Sequence, residues 1–174
     1  TGSAQIAFMN PGGLRADMLG NGSTYPTTLT YKQAANVQPF ANTLVNMDMT
    51  GAQIKTVLQQ QWQPAGASRP FLRLGTSKGF TYTYDPVAKT VTGMWLDGDP
   101  VEAGQTYSVT VNSFLASGGD NFAEFANGTH KQDTGQTDLE GMVDYMAEFA
   151  SDQPLAVDAA QHAARPAVGQ LLAA

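Results

Sequence analysis

Val111-Asn112-Ser113-Phe114-Leu115-Ala116-Ser117-Gly118-Gly119-Asp120-Asn121-Phe122 is the stretch on which the reading of this chain turns. The apolar, β-branched run Tyr107 to Asn112 predicts a buried strand. It leads through Phe114 into a Gly118-Gly119-Asp120 turn. Two adjacent glycines open a backbone path denied to other residues, which can carry main-chain N–H groups and the Asp120 carboxylate close to a ligand. An aromatic face beside a carboxylate, on a loop after a strand, suits a nucleoside: the ring for the base, the acceptor for sugar hydroxyls. The same stretch also reads as an ordinary strand-to-helix turn with a core phenylalanine.

Two further segments bear on that choice. Ile6-Ala7-Phe8-Met9 predicts a second buried strand, followed by Asn10-Pro11-Gly12-Gly13-Leu14-Arg15. The glycines let the chain turn sharply, and Arg15 offers a planar fork of donors that fits a phosphate. Val37-Gln38-Pro39-Phe40-Ala41-Asn42 sets another aromatic just before a predicted strand from Thr43 to Met49.

With these segments in this order, the chain resembles the C-terminal, substrate-binding domain of the 5'-nucleotidase and UDP-sugar hydrolase family. The resemblance is carried by Asn10 to Arg15, Pro39 to Asn42, Leu44 to Gly51, Phe71 to Gly75 with Tyr82 to Asp85, and Asn112 to Asp120, and covers roughly residues 5 to 150. It implies that Phe40 and Phe114 clamp a base between their rings. Stacking of a base on an aromatic is worth roughly 1–3 kcal/mol. It further implies that Asn10 contacts the base or ribose edge, Arg15 the ribose or phosphate, and Asp120 the ribose hydroxyls. Gly12, Gly13, Gly118 and Gly119 would shape the substrate loops. Pro11 departs from the pattern of the animal enzymes, where a small flexible residue is usual, and it removes one backbone donor.

Composition fits one domain. A chain of 174 residues with 42% hydrophobic content can bury a sizeable core. A net charge of −6 with nine Lys plus Arg speaks against nucleic-acid binding through phosphates. The absence of cysteine excludes disulfides and thiolate chemistry. No apolar run reaches the ~18 residues of a membrane span, and no secretory signal is present. Thr1-Gly2-Ser3 reads as a cloning remnant or a cut inside a longer protein.

Three Thr-x-x-Glu/Gln capping boxes predict helices starting at Thr30, Thr50 and Thr137. Ile54, Val57, Leu58 and Trp62 share one face of the second; Leu139, Met142, Val143, Met146 and Phe149 form a stripe on the third, read as core. Phe80, Tyr82 and Tyr84 alternate with threonines as a half-buried strand, partnered by Val91 to Leu96. The interleaving lacks a β-α-β-α rhythm and predicts an α+β single domain, a mixed β-sheet flanked by helices, over residues 1–150. Residues 151–174, rich in alanine and broken by Pro166, read as a C-terminal extension.

Arg73 reads as solvent-facing. His130, in a polar loop, and His162 read as surface residues. Asp17, Asp48, Asp97 and Asp99 are scattered and form no ligand cluster. Asn21-Gly22-Ser23 and Asn127-Gly128-Thr129 match a glycosylation sequon, a pattern that also arises by chance.

In the resembled family, hydrolysis occurs at two divalent metal ions on a separate N-terminal metallophosphoesterase domain, and the C-terminal domain swings on a hinge to deliver substrate. That implies a chain that needs no cofactor itself, binds nucleotide or nucleoside, works with that domain of the same protein, and does not hydrolyse alone. An upstream arginine that contacts phosphate in the family lies outside this sequence, so phosphate affinity should be weaker than in the whole enzyme. An extracellular, periplasmic or cell-wall location follows from the resemblance alone. The alternatives are a non-catalytic surface module, or the substrate domain of a 2',3'-cyclic-nucleotide phosphodiesterase or nucleotide-sugar hydrolase.

Overall fold

Parallel pairing of two strands distant in sequence organises the molecule. In the computed structural model, which describes residues 4–20, 26–150 and 153–155, β1 (Ile6–Met9) lies beside β7 (Thr106–Asn112) with Ile6 opposite Val109 and Ala7 opposite Thr110. β2 (Thr43–Thr50) runs antiparallel to β7 on its other side, Leu44 facing Asn112 and Thr50 facing Thr106. The ends of β1 and β7 and the start of β2 therefore share one end of the sheet. The loops after Met9, after Asn112 and before Thr43 emerge there together.

β3 (Gly75–Thr76) and β8 (Thr129–Thr137) complete this sheet in the order β3-β1-β7-β2-β8. A second, antiparallel sheet holds β4 (Phe80–Asp85), β5 (Thr90–Leu96) and β6 (Asp99–Pro100). The expected α+β class and mixed sheet hold, and the chain divides its strands between two sheets.

The three capping boxes form as expected. Thr30 opens α1 (Tyr31–Val37), Thr50 opens α2 (Gly51–Gln59) and Thr137 opens α4 (Asp138–Phe149), each hydroxyl accepting from the backbone N–H three residues on. Each of these N-terminal amides would otherwise lack a partner.

The core lies between the sheets and α2. Ile54, Val57 and Leu58 of α2 are fully buried, and Phe8 of β1 meets Phe80 of β4 edge-on at 5.5 Å between ring centres. Gln61, fully buried just past α2, joins three elements. Its amide donates to Leu58 O, and its Oε1 accepts from the Leu74 amide (2.9 Å) and the Tyr82 hydroxyl (3.0 Å). Such burial is tolerated because every polar atom finds a partner.

Three expectations need correction. Residues 129–137 form an edge strand where a polar loop was expected: Thr-His-Lys-Gln-Asp-Thr-Gly-Gln-Thr has no apolar alternation because most of it is exposed. Phe149 is 53% exposed and lies tilted against Tyr145 with 4.7 Å between ring centres, so the α4 stripe is core only at its Leu139 end. Arg73 is half-buried: it hydrogen-bonds Tyr82 and lies near Tyr84, whose phenol, like that of Tyr82, is pushed up by burial. The reading of residues 151–174 as an extension falls, apart from 153–155, outside the described residues, as do His162 and the Asn21 sequon.

Candidate functional site

Pro11–Gly13 form a single 3-10 turn directly after β1, with Pro11 in its first position. That position has no use for a backbone donor, and proline's fixed φ suits it. Asn10, the residue before the turn, is only 5% exposed. Its Oδ1 accepts from Asn112 Nδ2 (2.9 Å), and its Nδ2 donates to Asp120 Oδ2 (3.2 Å). Asn112 in turn caps α3 (Ser113–Ala116) by accepting from the Leu115 amide at 2.9 Å. One chain of amides thus ties the ends of β1 and β7 to the Asp120 carboxylate. Asn10 is enclosed between these partners, an arrangement that sets the carboxylate's position.

The Gly118-Gly119 pair acts differently at its two members. Gly118 has φ 89°, in the left-handed region that favours glycine. Gly119 has no such requirement. A Cβ there would stand 2.5 Å from Cε1 and Cζ of Phe114, so the phenylalanine ring lies directly against the glycine backbone. Asp120 and Asn121 also hold positive φ (54° and 64°), and so does Ala41 beside Phe40 (49°). Such backbone costs about 1–2 kcal/mol for a residue with a side chain and tends to gather at functional sites.

Phe40 is 54% exposed and Phe114 41%, and neither stacks on another ring among the described residues. Over the Phe40 ring lies the Arg15 guanidinium, 5.9 Å from its centre. The Arg15 amide donates to Val37 O (2.9 Å), joining the first loop to the end of α1 that leads to Phe40. The end of the sheet therefore gathers the loops that carry the residues expected to bind substrate: Asn10, Gly12, Gly13 and Arg15 on the first, Phe40 on the second, Phe114, Gly119 and Asp120 on the third. Two exposed rings, one guanidinium and one held carboxylate can stack a flat heterocycle, accept from hydroxyls and donate to an anion.

Three residues that sequence reasoning passed over also serve this region. Lys131 of β8 donates to Ala116 O (3.0 Å) and Ala126 O (2.8 Å), bracketing the loop that carries Asp120. Gln63 donates to Asp120 O (3.1 Å) and accepts from Asn121 Nδ2 (2.8 Å). Arg69 reaches over Gly12: its Nη2 is 3.5 Å from the point a Cβ on Gly12 would occupy. None lies in a motif, and only the polar character of the 59–63 run, Gln59-Gln60-Gln61-Trp62-Gln63, hinted at buried hydrogen bonding.

The other charged residues stay apart. His130 Nδ1 pairs with Asp48 Oδ2 at 2.9 Å on the surface, its side chain 83% exposed. Among the described residues, no three His, Cys, Asp or Glu side chains group as metal ligands, and no helix is long and apolar enough to cross a membrane.

Known proteins share this architecture. The family profile described as 5'-nucleotidase, C-terminal domain, matches residues 1–127. The cell wall protein Lmo0130 of Listeria monocytogenes is 34% identical over 126 residues, covering 69% of this chain and 15% of that protein. The endonuclease YhcR of Bacillus subtilis is 32% identical over 153 residues, covering 87% of this chain and 12% of that protein. A 5'-nucleotidase precursor from Thermus thermophilus superposes with a TM-score of 0.67 at 32% identity, over 84% of this chain and 29% of that one. The chain thus spans less than a third of the length of each. With its matching fold and the profile match over most of its length, it belongs to the 5'-nucleotidase C-terminal domain family.

Proposed function

We propose that this domain holds a nucleoside or nucleotide for hydrolysis elsewhere in a longer protein. The observation that carries this reading is the pair of exposed phenylalanines, Phe40 and Phe114, unstacked among the described residues, at the sheet end where the loops of Asp120 and Arg15 also emerge. Phe40 and Phe114 sandwich the base. Asp120, fixed by Asn10 from one side and Gln63 from the other, accepts from the ribose hydroxyls. A carboxylate with two acceptor oxygens suits a vicinal diol. Arg15, beside Phe40, faces the phosphate side. Asn10 acts through Asp120 and positions it.

On this reading the chemistry belongs to a metallophosphoesterase domain of the same protein holding two divalent metal ions, and this chain alone binds without hydrolysing. The location that accompanies this role is extracellular, periplasmic or at the cell wall, which the name of the Listeria relative supports. That name also favours a second reading, a non-catalytic surface module that keeps the fold without the ligand.

Saturation-transfer NMR with adenosine, AMP and ribose 5-phosphate, on wild type and Phe114→Ala, separates the two. Saturation of the base protons by wild type, lost in the variant, is the expected result. A folded wild type giving no signal at millimolar ligand would favour the surface module. Metal-dependent phosphate release by the purified chain would overturn the division of labour.

A further inference from the structure

The loop from Gln63 to Pro70 brings a fourth segment to the site, one that no motif announces. It closes on itself, the Gln63 amide donating to Pro70 O (2.9 Å) and the Ala67 amide to Pro64 O (3.1 Å), while Trp62 and Phe71 pair as a β-bridge at its base. Gln63 also fastens it to the Asp120 loop by two hydrogen bonds. The loop that carries Arg69 and the loop that carries Asp120 are thus held as one unit.

Above Gly12 these two residues come near each other without pairing. Arg69 Nη2, Asn10 Nδ2 and Asp120 Oδ2 stand 3.5, 3.7 and 3.7 Å from one point, the position of an absent Cβ on Gly12. No ion pair joins Arg69 to Asp120. An acceptor-only carboxylate and a donor-only guanidinium bordering the same small space match a group that both donates and accepts. A hydroxyl does both; a phosphate at that point would be repelled by Asp120, and an apolar group would satisfy neither.

Resting on the nucleoside reading above, we propose that Arg69 is a ribose-recognition residue, donating to the 2'- or 3'-hydroxyl whose proton Asp120 accepts. Arg69 and Asp120 then select a ribose with its diol intact, while the two phenylalanines accept any base. Arg15, at the Phe40 ring, serves the opposite end of the nucleotide.

The test is a comparison of ligands and variants by calorimetry or saturation transfer. Adenosine, 2',3'-dideoxyadenosine and AMP are titrated into wild type, Arg69→Gln, Arg69→Lys and Phe114→Ala, each checked for folding by thermal melt. A hydrogen bond to a charged donor sets the scale at about tenfold or more in affinity. Arg69→Gln is expected to weaken adenosine and AMP by that factor and to leave dideoxyadenosine unchanged, with Arg69→Lys in between. Equal losses for adenosine and dideoxyadenosine, or no loss for either, would overturn the assignment. A loss confined to AMP would overturn it in favour of a phosphate contact. If wild type binds no nucleoside, or Phe114→Ala binds as well as wild type, the nucleoside reading itself fails, an outcome distinct from any Arg69 result.

Discussion

Two sets of aromatic rings sit in this molecule under opposite conditions. In the first, Phe8 meets Phe80 and Phe125, Tyr82 stacks on Tyr84, and Trp62 packs against Phe71 and Tyr84, at 5.2 to 6.0 Å between centres. Each of these rings is packed against at least one other ring. In the second, Phe40 and Phe114 stand half in solvent, and the Arg15 guanidinium lies over Phe40. The residue type is the same; what differs is how much of each ring remains unsatisfied. A ring packed in the core has spent its stacking capacity on the fold, whereas one half exposed near a strand end keeps part of it free.

That contrast predicts separable effects. Phe80 is fully buried, so Phe80→Ala should be the most damaging change, lowering stability by about 3–5 kcal/mol in denaturant unfolding. Below the transition its nucleoside affinity should match wild type. A large loss of affinity in the folded variant would show that the two ring sets are not independent.

Asn112→Ala joins the two regions. It removes the α3 cap and leaves Asn10 Oδ1 without its donor, and should cost about 1–3 kcal/mol of stability. Unlike Phe80→Ala, it should also weaken ligand binding, because Asp120 loses the support behind Asn10. Unchanged affinity would mean that Gln63 alone suffices to hold the carboxylate.

Phe114→Ala should do the reverse of Phe80→Ala: a stability change below about 1 kcal/mol, as for an exposed side chain, with a loss of roughly 1–3 kcal/mol in nucleoside affinity. A thermal melt beside a titration distinguishes the two. If stability falls as far as it does in Phe80→Ala, Phe114 belongs with the core.

The smallest effect lies away from both ring sets and tests their isolation. Of the three capping boxes, α1 and α2 use Gln33 and Gln53, and α4 uses Glu140. Hydrogen bonds from the Thr137 amide and hydroxyl hold the Glu140 carboxyl below its ordinary value. Its folded pKa being depressed, the stability it contributes is present above the ordinary carboxylate range and is lost as pH falls through the lowered value. Glu140→Gln keeps the box and removes the charge. The difference in Tm between wild type and this variant should shrink on acidification, with ligand affinity unmoved.

Legibility in the sequence followed the range of the interaction. The capping boxes depend on residues three apart and the β4 alternation on residues two apart, so both could be read directly. The order of the motifs singled out Asn10, Arg15, Phe40, Phe114 and Asp120, whose loops the strand pairing sets at one end of the sheet, although nothing local shows that Asn10 is buried behind Asp120. β8 could not be read, because an exposed edge strand needs no apolar alternation. The parts played by Gln63, Lys131 and Arg69 depend on partners that only the folded chain brings near: Gln63 lies 57 residues from Asp120. The glycine pair was legible as a turn, but the reason for Gly119 is the Phe114 ring, a contact between side chain and backbone that no turn rule encodes.

The parallel pairing of β1 with β7 has a consequence in time. Asn10 and Asp120, whose hydrogen bond closes the site, are 110 residues apart. During synthesis the first loop leaves the ribosome long before its partners exist, and it stays open until β7 and the turn after it are made. Contacts that span so much chain form late and slowly in folding. A nucleoside that bound this surface would therefore find it only on finished molecules, and would favour the native state over every partly folded one by mass action.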